Sequence, residues 1–107
     1  MADFPIACDL SVLTDEQHRR LTQIWEEVIR ARQEVSELSN GYGLRFPSDV
    51  STVLTLAEFM TLERLCCPFF EFTLEVTPGS GPVWLRLTGG DGVKEFISQE
   101  FSLGSHN

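Results

Sequence analysis

Residues 70–77, FEFTLEVT, alternate apolar and polar without a fault, and residues 83–88, VWLRLT, do so again across the turn segment PGSGP. Two such runs joined by a Pro/Gly turn predict an antiparallel hairpin. Its apolar face is Phe70, Phe72, Leu74 and Val76 on one arm, with Val83, Leu85 and Leu87 on the other. The opposite face carries Glu71, Thr73, Glu75, Trp84 and Arg86, and an acidic side chain there can reach Arg86 across the hairpin. A lone hairpin is barely stable in water, so more strands and a covering layer must come from the rest of the chain.

Two helical patterns supply that layer. Leu21, Ile24, Trp25, Val28 and Ile29 recur at helical spacing behind Thr14-Asp15-Glu16-Gln17, a capping box, and predict an amphipathic helix over residues 15–32. A second helix is expected over 49–66, begun by Pro47-Ser48-Asp49 and stopped before Pro68. Its apolar positions, from Val53 to Leu62, spread beyond one stripe, which predicts burial on more than one side. Between the helices, Ser39-Asn40-Gly41 signals a turn, with a strand GYGLRF after it and a less regular arm over 33–38 before it. Residues 4–8, FPIAC, fit a short edge strand, and Val93, Phe96 and Ile97 fit a last helix capped by Asp91.

The expected fold is therefore one α+β domain over residues 1–107, an antiparallel sheet with helices packed on one face in the order (β)-α-β-β-α-β-β-α. With the leading strand counted, the first six elements match a ferredoxin-like sandwich extended by a strand and a helix. Without it the chain reads as two αββ units and a last helix.

Composition limits the partners. Sixteen acidic against 8 basic residues give a formal net charge of −8, which opposes nucleic acid and anionic membrane surfaces. Acidic neighbours dilute the two basic pairs, Arg19-Arg20 and Arg30/Arg32. No run approaches the roughly 20 apolar residues of a membrane span, and the N-terminus has no signal-peptide pattern. The expected setting is cytoplasmic, with thiols reduced.

Chemistry concentrates at Cys66 and Cys67, adjacent residues at the end of the second helix, with Glu63 one turn before them and Cys8 near the N-terminus. Three soft sulfurs with Glu63 or His18 as a further donor suit zinc or another thiophilic metal or metalloid. Zinc usually takes four ligands in paired C-x2-C spacing, absent here, so a three-coordinate ion fits better. Against this stands packing, since free cysteine often behaves as a small buried hydrophobe. An odd number of cysteines is a poor disulfide framework. Redox catalysis is opposed by the helix C-terminus, whose dipole raises a thiol pKa. No catalytic residue is assigned, and a non-enzymatic domain is expected.

Other features read as architecture. TGGDG, residues 88–92, lacks a phosphate-binding pattern and is expected to be a turn. Glu26-Glu27 and Asp15-Glu16 are surface charges, His18 falls on the polar side of its helix, and His106 is in the tail. Trp84, on the sheet face away from the helices, marks a homodimer interface or a ligand platform, unless the last helix or the N-terminal segment covers it.

The run Leu62-Glu63-Arg64-Leu65-Cys66-Cys67-Pro68-Phe69, the hairpin after it and Thr88-Gly89-Gly90-Asp91-Gly92 resemble a family of small, largely uncharacterised bacterial proteins. Their pattern is Glu-Arg-x-Cys-Cys-Pro-Phe, a hairpin and a Thr-Gly-x-x-Gly helix start; Cys8-Asp9-Leu10 is similar to an N-terminal element of theirs. Gly90 stands where the pattern has proline. The resemblance covers about residues 8–98 and implies no catalytic activity. Its association with metal-resistance settings implies a thiol site at Cys8, Cys66, Cys67 and Glu63. The alternative is a dimeric accessory module with structural cysteines.

Overall fold

The computed structural model describes residues 6–101. Seven elements follow a short 3-10 turn at Leu10–Val12: α1 (Asp15–Ala31), β1 (Glu34–Leu38), β2 (Gly41–Phe46), α2 (Val50–Cys66), β3 (Glu71–Val76), β4 (Val83–Thr88) and α3 (Val93–Glu100). The capping box forms: the Thr14 hydroxyl accepts from the Gln17 N–H, and the Gln17 side chain accepts from the Thr14 N–H. Asp49 caps α2 by accepting from the Thr52 N–H at 3.1 Å. Pro68 follows at once, and the Cys67 N–H closes the last turn on the Glu63 carbonyl at 2.8 Å.

The four strands lie in the order β1-β2-β4-β3, every neighbour antiparallel. Leu44 pairs with Leu85 at the centre, and both are fully buried. The same core cluster holds Leu21, Ile24 and Val28 of α1, Leu56, Phe59 and Leu62 of α2, and Val93 and Ile97 of α3. All three helices thus cover one sheet face. The other face carries ion pairs, Arg86 with Glu75 at 2.9 Å and Arg45 with Glu34 at 3.3 Å.

The expected α+β class and antiparallel sheet are present, and four details differ. Residues 6–8 are not in a strand, while Phe4 and Pro5 lie outside the described residues. The leading strand of the ferredoxin-like order is therefore missing from the described chain, which is αββαββα. Each αββ unit contributes its second strand to the sheet centre. Second, Leu54, which falls within the apolar run of α2, is exposed together with Val50 and Leu65, so one stripe of that helix faces outward while the rest packs on the core, α1 and the N-terminal turn. Third, the edge strand β3 extends beyond the helices: Phe70 is buried, Phe72 and Leu74 are half-buried, and Val76 is exposed. Last, Gly92 and not Asp91 caps α3. Gly92 has φ +88°, and a Cβ there would collide with Ile6. The positive φ is what calls for glycine, since the Ile6 contact is with the far end of a side chain that can turn aside.

Candidate thiol site at the end of the second helix

The N-terminal segment, residues 6–13, runs as a strap over the end of α2. Its Asp9 N–H donates to the Cys66 carbonyl at 2.8 Å, supplying a partner that the helix end lacks. The Asp9 side chain accepts from the Ser11 N–H and holds the 3-10 turn that follows. This path brings Cys8 beside Cys67, with their Cα atoms 4.5 Å apart, and the two form a disulfide. The expectation that all thiols are free is corrected. Counting cysteines missed the pair because its partners are separated by 59 positions and an entire αββ unit. Cys66 remains a free, buried thiol.

Cys67, at φ −126° and ψ 71°, has left the helical conformation, so the two adjacent thiols do not diverge by the about 100° of a regular helix. Cys66 turns into the core, where its thiol faces the Leu62 and Glu63 carbonyls at 3.9 and 3.6 Å. Cys67, at the C-cap, turns toward the strap. Their sulfurs are 3.8 Å apart. Glu63 lies one turn back on the Cys67 side, its Oε2 3.5 Å from the Cys67 sulfur. The donor atoms of Cys8, Glu63 and Cys67 all fall within 4.8 Å of one another. Cys66 borders this set without joining it, and so does His18, an exposed residue of α1.

Glu63 is only 4 % exposed, the one buried charged residue among those described. Burial pushes its carboxyl up to about 7, and the charge of Glu100 adds to that. Burial also raises the Cys66 thiol to about 11, with Glu63 and Asp9 contributing in the same direction. A thiol this reluctant to ionise is a poor nucleophile at neutral pH.

The three donors form one wall of a cleft of about 520 Å3. Leu10 of the strap, Leu21 and Trp25 of α1, and Phe96 of α3 make an apolar side; Glu26, Glu100 and His18 stand on the polar side. The sequence pattern places Leu21 and Trp25 in the core stripe of α1 and Leu10 in the Cys8-Asp9-Leu10 element, and gives no sign of Glu100 or of a shared cleft. No local pattern marks them, because the cleft exists only where α1, α3 and the strap meet the end of α2. His106 lies outside the described residues. Trp84 is half-buried on the helix-free face, its ring 3.4 Å from where a Gly43 Cβ would sit and Arg86 5.9 Å above it.

Protein-family models, curated proteins and solved structures were all compared with the chain, and none matches. Among the described residues no helix is long and apolar enough to cross a membrane.

Proposed function

We propose that the chain is a non-enzymatic binder of a thiophilic metal or metalloid ion. In the reduced state, Cys8 and Cys67 are its sulfur ligands and Glu63 its third donor. The observation that carries this reading is the convergence of those three donor atoms within 4.8 Å, in a mostly buried position. Two sulfurs and one carboxylate oxygen match a three-coordinate thiophilic ion; zinc would need a fourth ligand from Cys66 or water. The disulfide and the free ion-binding site are alternative states of the same sulfurs, so reduction must precede binding. Deprotonation is then driven by the ion itself, which offsets the unfavourable setting of thiols at a helix C-terminus. A cytoplasmic location, where thiols are kept reduced, suits this reading. So does the family resemblance carried by Glu63, Cys66 and Cys67.

The test is a titration of the reduced chain with zinc, arsenite and mercury(II) by calorimetry. One ion should bind per chain, and Cys8→Ser should abolish tight binding. Equal affinity in the disulfide and reduced forms would remove the proposal.

A second reading rests on Trp84, whose flat, half-buried ring lies on the face no helix covers. We propose that this face pairs with a second copy of the chain. Light scattering should then report a dimer for the wild type and a monomer for Trp84→Glu; identical masses for the two would exclude the interface.

A further inference from the structure

The donor cluster opens onto far more room than an ion needs. A cleft of about 520 Å3 is within the range of sites that hold small organic molecules. Its apolar side, Leu10, Leu21, Trp25 and Phe96, offers nothing to a bare ion. We propose that the site takes a monoorganyl arsenic(III) compound, RAs(OH)2, with arsenic on the Cys8 and Cys67 sulfurs and the organic group R against that apolar side. The inference rests on the thiol-site reading above and extends it from an ion to a substrate class.

The coordination arithmetic favours this class. Arsenic(III) forms three bonds, and two adjacent sulfurs plus one carbon complete them. A phosphine or dithiol first reduces the disulfide, giving two electrons and leaving both thiols protonated. Each thiol then replaces one hydroxyl on arsenic: two As–S bonds form, two As–O bonds break, and two waters leave with the thiol protons. Arsenic keeps its oxidation state. The acidic rim, Glu26 and Glu100 beside Glu63, disfavours an R group bearing a carboxylate or phosphate and selects a neutral or cationic one.

The experiment uses the full chain, reduced with a phosphine and desalted without oxygen. Arsenite, methylarsonous acid and phenylarsine oxide are titrated in turn, and the same compounds are titrated against a small free dithiol. The preference for phenyl over methyl should exceed that of the free dithiol by roughly ten-fold or more, as burial of an aromatic ring predicts. Leu10→Ser, a change at a half-exposed strap residue, and Trp25→Leu should each lower that preference, read as the ratio of phenyl to methyl affinity in the same variant. Circular dichroism checks that each variant folds, and Leu10→Ser carries the test alone if Trp25→Leu does not. A preference equal to the free dithiol's, or one that Leu10→Ser leaves intact, overturns the inference while the thiol site stands. Failure of the wild type to bind any arsenical overturns both.

Discussion

Glu63 is the residue at which the chain departs most from the ordinary rules of burial. A carboxyl 4 % exposed, with Glu100 nearby, is disfavoured as an anion. Its ionisation in the folded state, near pH 7, lies above the value of 4.5 for an unfolded chain. Folding is therefore assisted by protonated Glu63 below about pH 4.5, and that assistance is lost as pH rises to about 7. At roughly 1.4 kcal/mol per pH unit, the interval from 4.5 to about 7 makes the loss about 3.5 kcal/mol. Glu63→Gln in the disulfide form should accordingly match the wild type near pH 4.5. By pH 8 it should be more stable by up to about 3.5 kcal/mol in urea denaturation. A constant difference between the two proteins across that range would show that ionisation of Glu63 is not what burial opposes. Retention of such a residue in a core is readily understood if an ion or ligand uses it.

At the scale of elements, the hairpin β3-β4, both long helices and their caps were legible, because each rests on a local signal. Alternation gave the strands, Thr14 and Asp49 gave the helix starts, and Pro68 gave the end of α2. What the sequence hid were contacts between elements. Leu54 looks like core in one dimension, yet it lies exposed on α2 beside Val50 and Leu65. The strap is the clearest case: FPIAC alternates like a strand, but its described residues, Ile6 to Cys8, are not in one, and Cys8 and Asp9 are bound to the end of α2 instead. Because the crosslink encloses 59 positions, it removes much freedom from the unfolded chain, worth about 4 kcal/mol on a loop-entropy basis. Cys8→Ser should therefore lower unfolding free energy by an amount of that order relative to the oxidised wild type. It should leave reduced wild type and variant nearly equal. Equal stability of oxidised wild type and variant would mean that strap packing alone holds this end of the fold.

For the molecule as a whole, the two αββ units share one sheet in which β2 and β4 meet at the centre and β1 and β3 form the edges. Both helices of the units have 17 residues, and Arg20 of α1 joins Glu58 of α2 through two bonds of 2.9 Å. The candidate site breaks this symmetry. It belongs to the end of α2, where the strap adds Cys8 and α3 adds Phe96 and Glu100; the end of α1 has no such additions. The motif residues of the site were visible in the sequence, whereas its cavity was not, since four separate segments build it. The crosslink also imposes an order of events. During synthesis Cys8 emerges long before either partner, and Cys66 arrives one residue ahead of Cys67. First arrival would join Cys8 to the wrong thiol. The choice between two thiols only 3.8 Å apart therefore falls to the folded end of α2, where the Asp9–Cys66 backbone bond sets Cys8 beside Cys67.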